Sequence, residues 1–221
     1  MRYFKSLSLL ILLISGFVYG QSSKQSIWSD SNFSGLKFRS IGPAFMSGRI
    51  SDIAIHPDNE SVWYVTVGSG NVWKTTNAGV TWTPIFDDQP SYSIGCVTID
   101  PNNSNTIWIG TGENLGGRHF GYGDGVYKSE NGGKSWTNMG LKKSEHISEV
   151  LVHPKDPNTV WVASQGPMWS SGGERGVYKS VDGGKNWSLV LKSNKWTGAT
   201  ELKMDPRNPN RLYAVLWQRH R

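Results

Sequence analysis

One segment is written three times in this chain, and that restricts its fold more than any other feature. "KTTNAGVTWTPI" (74–85), "KSENGGKSWTNM" (128–139) and "KSVDGGKNWSLV" (179–190) keep a Ser/Thr, an Asp/Asn, a Gly and a Trp at fixed offsets. Their tryptophans, Trp82, Trp136 and Trp187, lie 54 and 51 residues apart. Upstream of each stands a second shared segment: "IAIHPDNESVWYVTVG", "VTIDPNNSNTIWIGTG" and "VLVHPKDPNTVWVASQ". A fourth copy, "LKMDPRNPNRLYAVLW", begins at Leu202. Pro57, Pro101, Pro154 and Pro206 mark the period, at 44, 53 and 52 residues. A period near fifty with strand-like alternation specifies an array of small repeated units.

Each unit reads as four short strands. In the third, "ISEVLVH" and "TVWVASQ" flank a turn at Pro154–Pro157, and "GVYKSV" and "NWSLVLK" flank an Asp-Gly-Gly turn. Four antiparallel strands per unit, repeated about an axis, are propeller blades. The expected fold is therefore all-β, a propeller of four-stranded antiparallel blades. The chain divides into residues 1–20, a linker over 21–37 and blades over 38–221. Three units are complete and the fourth ends after its second strand, so the chain reads as the N-terminal part of a seven-bladed ring; expressed alone from Gln21, it is expected to aggregate, to self-associate through an open edge, or to melt with poor cooperativity.

The repeated turn has a structural logic. Asn77, Asn131 and Asp182 can accept backbone N–H groups within the turn, while Gly79, Gly133 and Gly184 take backbone angles other residues resist. The tryptophans then fold back between neighbouring sheets. Calcium would need several oxygen ligands converging on one ion, and each turn offers one Asp or Asn and a hydroxyl. No metal or cofactor site is expected. His56 and His153 stand where the other units hold Asp100 and Asp205, so they read as turn-makers, and Trp63, Trp108 and Trp161 recur as core.

The first twenty residues carry Arg2 and Lys5 before an apolar run from Leu7 to Val18, the pattern of a signal peptide cut at Gly20–Gln21. The mature chain is expected to be exported, to the periplasm or beyond, without a membrane span. The single cysteine, Cys96, sits in an alternating run and reads as a small buried hydrophobe. The net charge of +6 is scattered among acidic residues. Nucleic-acid binding needs a concentrated basic surface, so it is excluded.

Function is sought in what does not repeat. The turns within strand pairs share one face, and the longer loops of irregular length share the other, where sites are built on rigid scaffolds. The second unit's loop, "GENLGGRHFGYGDG", brings Glu113, Arg118, His119 and Asp124 together. Arg49 from the first unit and Trp169, Glu174 and Arg175 from the third join them as candidate ligand contacts. Glu113, Asp124 and Glu174 are the candidate catalytic carboxylates, since glycoside hydrolysis uses a carboxyl pair. Replacing Glu113 and Asp124 by Ala is expected to leave folding intact, because both sit outside the repeated core.

"GPAFMSGRISDIAIHP", "GDGVYKSENGGKSW", "ERGVYKSVDGGKNW" and "MDPRNPNRLYAVLWQRHR" give the chain a resemblance, over about 40–221, to exported Asp-box (BNR-repeat) propellers of sortilin-like and glycosyl-hydrolase-like type. The resemblance implies binding or scaffolding of a glycan, peptide or protein partner, with glycoside hydrolysis as the alternative. Family-74 xyloglucanases are similar in the first blade, where a Thr-Asp-Ile/Val-Gly-Gly segment supplies a catalytic Asp. Here the matching stretch is Val67-Gly68-Ser69-Gly70-Asn71, which has no carboxylate.

Overall fold

The computed structural model describes residues 48–114 and 121–218. The first antiparallel sheet comprises β1 (Ile50–Ile55), β2 (Trp63–Val67), β3 (Asn71–Thr75) and β4 (Thr83–Pro84). The second comprises β5 (Ile94–Ile99), β6 (Ile107–Thr111), β7 (Val126–Ser129) and β8 (Thr137–Asn138). The third comprises β9 (Ile147–His153), β10 (Asp156–Ser164), β11 (Gly176–Ser180) and β12 (Ser188–Leu191), and the fourth is β13 (Thr197–Asp205) paired with β14 (Asn208–Gln218). Strand order follows the chain in every sheet, and the described residues contain no helix. The segment 1–20, read as a signal peptide, lies outside the described residues. Among those described, no helix is long and apolar enough to cross a membrane.

The sheets stack face to face through three apolar clusters. Tyr64 and Val72 of the first sheet, with Phe86 just after it, meet Ile94, Val97, Ile107, Ile109 and Tyr127 of the second. Trp108 and Val126 of the second meet Val150, Val152, Val160 and Val162 of the third, with Cys96 among them. Trp161, Ala163 and Val177 of the third meet Ala199 and Leu202 of the fourth. This is a partial β-propeller, and the buried strands alternate as the repeat implies. Cys96 is buried, and burial raises its thiol well above the ordinary range.

The structure corrects one alignment. β2 pairs with β1 so that Tyr64 faces Ala54, while Trp108 faces Thr98 and Trp161 faces Leu151. Tyr64 therefore takes the place of Trp108 and Trp161, and Trp63 takes that of Ile107. Matching tryptophan to tryptophan slips the register by one. Counting seven residues from the prolines gives Tyr64, Trp108, Trp161 and Tyr213, in agreement with the pairing. A one-residue slip in a strand exchanges its two faces, so the proline is the better ruler.

The repeated turns behave as a clasp. The hydroxyl of Thr75, Ser129 or Ser180 accepts the N–H of Gly79, Gly133 or Gly184 at 2.9, 2.9 and 2.8 Å. The side-chain oxygen of Asn77, Asn131 or Asp182 accepts the N–H of Thr81, Ser135 or Asn186, each at 2.9 Å. A Cβ on Gly133 would lie 2.6 Å from Ile85, and one on Gly184 would lie 2.7 Å from the Trp108 ring; both glycines also have φ near +90°. The indole N–H of Trp136 donates to Ile85 O and that of Trp187 to Met139 O, each at 2.7 Å. Each of these bonds fastens a blade to the end of the one before it. Trp82 instead packs on Trp63 of its own blade, with ring centroids 6.3 Å apart. The lysine opening each repeated segment packs within its own blade: Lys74, Lys128 and Lys179 lie over the rings of their cross-strand partners Tyr64, Trp108 and Trp161 at 5.0, 5.3 and 5.3 Å. Lys74 also donates to Gly132 O of the next blade at 2.9 Å.

The proline turns also follow the sequence logic. His56 Nδ1 and His153 Nδ1 accept the N–H of Asp58 and Lys155, both at 3.2 Å. Asp100 and Asp205 do the same for Asn102 and Arg207 at 2.8 and 2.9 Å. An imidazole and a carboxylate are interchangeable here because the turn needs one acceptor.

The third clasp differs from the others in being ionisable. The side chain and backbone N–H of Asn186, with the Ser180 hydroxyl, hold the Asp182 carboxyl down at about 2. An Asp in an unfolded chain titrates near ~3.9. The folded value is the lower one, so this contribution is complete above about pH 5 and is lost as pH falls through about 2. Asp182→Asn loses the carboxylate that accepts the Asn186 side chain, so it should lower the melting temperature at pH 7 and flatten part of its decline between about pH 4 and pH 2. Thermal melts across that range test this; two superimposable profiles would mean that Asp182 is not held as described.

Candidate functional site

The expected division of faces is present. Turns within strand pairs join one another on one face, as in the bonds from Gly132 N to Asn105 O and from Gly183 N to Asn158 O. The irregular loops join on the other, where Gly112 N donates to Ser93 O, Gly123 N to Glu145 O and Glu174 N to Lys143 O.

Glu113 is the hub of that loop face. Its carboxylate forms a bidentate ion pair with Arg49, with Nε–Oε1 at 2.5 Å and Nη2–Oε2 at 2.6 Å. Its N–H donates to Ser93 Oγ at 3.0 Å, and its carbonyl lies 3.0 Å from Nδ1 of the buried His146. Counting back from each proline puts Arg49, Ser93 and His146 at equivalent places, eight residues before Pro57, Pro101 and Pro154. Three blades thus present the residue just before their first strand to one residue. Gly112, with φ at +83°, turns the chain into Glu113, and the missing side chain of Gly68 makes room for the carboxyl, since a Cβ there would lie 2.9 Å from Glu113 Cδ. The hydrogen bond to Glu113 raises the Arg49 guanidinium further, against a smaller effect of burial. Glu113 is fully buried, which corrects the expectation of a loop residue outside the core: its carboxylate bridges the first two blades.

The other candidates are dispersed. Asp124 accepts the Tyr127 hydroxyl at 2.6 Å through Oδ2, and its Oδ1 is buried without a hydrogen-bond partner among the described residues. Burial and this contact push the Tyr127 phenol up to about 12. Glu174 accepts the Lys143 N–H at 2.7 Å and so ties two loops together. The Arg175 side chain is buried and donates to the carbonyls of Gly172, Gln165, Trp196, Ser170 and Pro167. Its position is that of a loop organiser, and burial pulls the guanidinium down from its usual value, partly offset by the charge of Glu145. Trp169 is exposed. Arg118 and His119 lie outside the described residues. Among those described, no hydrogen bond or ion pair joins any two of Glu113, Asp124 and Glu174, and no cluster of three His, Cys, Asp or Glu could hold a metal ion.

Two residues of this face escaped the sequence reading. Glu145 has φ at +56°, an uncommon conformation for a side-chain-bearing residue. Its carboxyl is pushed up by burial, partly offset by the charge of Arg175. His146 lies beside it, with its ring 5.8 Å from that of the exposed Tyr122. The proline count was the signal that could have found His146, because it aligns that residue with Arg49. Nothing in the sequence marks the strain at Glu145.

No known protein-family profile matches the chain. It is similar to the oligoxyloglucan-reducing end-specific xyloglucanase of Emericella nidulans, with 22% identity over 178 residues, 77% of this chain and 20% of that protein. It is also similar to a xyloglucanase of Hypocrea jecorina, with 24% identity over 91% of this chain and 26% of that protein. Among solved structures, it superposes on the GH74 enzyme of Niastella koreensis with a TM-score of 0.56 and 26% identity, over 73% of this chain and 24% of that one. An ancestral GH74 enzyme gives a TM-score of 0.58 at 24% identity, over 76% of this chain and 22% of that one. The chain spans about a fifth to a quarter of the length of the curated relatives it matches, and the likeness is to a GH74-type β-propeller.

Proposed function

We propose that this chain is the propeller region of a xyloglucan-active glycoside hydrolase, with the glycan laid across the loop face around Glu113. The observation that carries the reading is the agreement of its curated relatives, whose names are xyloglucanases, over three quarters or more of this chain. The local chemistry fits a sugar ligand. Exposed Tyr92, Tyr122 and Trp169 offer stacking surfaces on the loop face, and the buried oxygens Asp124 Oδ1 and Asn114 Oδ1 await donors among the described residues. Export through residues 1–20 belongs to this reading, and so does the Asp-box character of the repeated turns.

A second reading, binding without cleavage, is favoured by one specific observation. Glu113, Asp124 and Glu174 are each committed to a different partner, and Val67–Asn71 supplies no carboxylate. An inverting hydrolase needs an acid and a base about 6.5–9.5 Å apart. Incubation with xyloglucan separates the two readings. Release of reducing ends supports hydrolysis, retardation in a xyloglucan-containing gel without release supports binding, and neither result removes the glycan reading altogether.

A further inference from the structure

The seam between the second and third blades is closed differently from the seam before it. In the first seam, Lys74 Nζ and the Tyr64 hydroxyl both donate to Gly132 O of the next blade, at 2.9 and 3.3 Å. Lys128, Trp108 and Gly183 hold the same places in the second seam. There Lys128 turns back to Glu130 of its own blade, at 2.7 Å, and Trp108 has no hydroxyl to offer. Among the described residues no hydrogen bond reaches Gly183 O, although Gly183 is buried. Glu130 is the cause in the sequence, for the first unit has Thr76 at that place and the third has Val181.

What this leaves is a cleft of about 490 Å³ on the clasp face, within the ~300–1,000 Å³ of small-molecule sites. Both of its walls are four-stranded blades, so it lies inside the array. Along its lining, Lys128 and Lys185 balance Glu130 and Asp182. Thr137 and Asn158 also line it, and their side chains make no hydrogen bond to other described residues. Met139 adds an apolar patch.

We propose that this cleft binds a short stretch of neutral glycan, a second contact on the face opposite Glu113. Gly183 O and Asn158 Oδ1 accept sugar hydroxyls, while Lys128, Thr137 and the Asn158 amide donate to them. A hydroxyl is donor and acceptor at once and so suits a lining that offers both. Met139 meets the C–H face of a ring. An anionic or cationic ligand would bring a charge that the balanced lining does not compensate. The site does not depend on the loop face and stands whether or not the glycan reading of that face holds.

Titration of the isotope-labelled full chain with cellotetraose, followed by amide NMR, reads the two faces separately. The amides of Asn131, Gly183 and Lys185 and the side chain of Asn158 should shift saturably, whether or not Gly112 and Gly123 on the loop face respond. Glu130→Thr gives the second seam the residue of the first and frees Lys128 to close on Gly183 O. It should weaken binding about tenfold, the worth of one well-made hydrogen bond. The Glu130 side chain is 74% exposed, and the spectrum itself shows that the variant is folded. Thr137→Val should weaken binding as well. Sodium glucuronate should bind less tightly than glucose, its neutral counterpart. Three results overturn the proposal: no saturable shift at the clasp-face amides; unaltered affinity in Glu130→Thr; or glucuronate binding more tightly than glucose, which would make the cleft an anion site.

Discussion

Trp108→Ala should cost about 3–5 kcal/mol, the range for truncating a large buried aromatic. Trp108 is completely buried and, among the described residues, is the largest side chain in that state. It packs with Cys96, Val126, Val150, Val152, Val160 and Val162, so its loss empties the seam between the second and third blades. The seam cannot readily close over the gap. Gly184 of the next blade rests against the ring, where an added Cβ would lie 2.7 Å away, and its turn is fixed by the Ser180 hydroxyl. Lys128 over the other part of the ring would lose its aromatic partner as well. Trp108→Phe should be milder by comparison, because the indole N–H has no hydrogen-bond partner to lose. Chemical unfolding of both variants is the measurement. A loss under about 1 kcal/mol for the alanine variant would mean that the blades repack and that the seam is not the rigid contact described.

Arg49→Met should destabilise by about 2 kcal/mol and should alter the loop face at the same time. Breaking a fully buried ion pair typically costs ~3–5 kcal/mol, because one charge is left uncompensated. The cost is placed lower here because Glu113 has no exposed side-chain surface but Arg49 is 43% exposed, so water can reach the vacated side. Adding Glu113→Gln to Arg49→Met should recover part of the loss, since the pair then leaves no buried charge. The double-mutant cycle measures that coupling. Additive losses would show that the two residues act independently, in spite of the bidentate geometry. If the glycan reading holds, both single variants should also weaken retention on xyloglucan, because Glu113 ties Arg49, Ser93 and His146 into one surface.

The sequence by itself determined the blade, its four strands and its clasp, since each depends on residues close together in the chain. The hydroxyl, amide or carboxylate, glycine and tryptophan of each repeated turn sit within eight positions, and a local turn leaves their partners little choice. The same holds for His56 and Asp100, which need only reach the N–H two residues on. The register of the first blade was recoverable from its proline, though comparison of tryptophans missed it by one place.

Only the tertiary structure decided which loop residues belong together. Arg49 and Glu113 are 64 positions apart and come from different blades; their pairing follows from the rotation of one blade against the next, which no local pattern encodes. Arg175 read as a ligand contact because an arginine in a glycine-rich loop usually meets solvent, yet the loop closes over it and supplies carbonyls to its guanidinium. Glu145, with its positive φ, is likewise placed by a contact between loops far apart in sequence, its carbonyl accepting Gly123 N. Short-range hydrogen bonds are written in the order of residues. Contacts across blades are set by packing, and they appear only when the sheets are stacked.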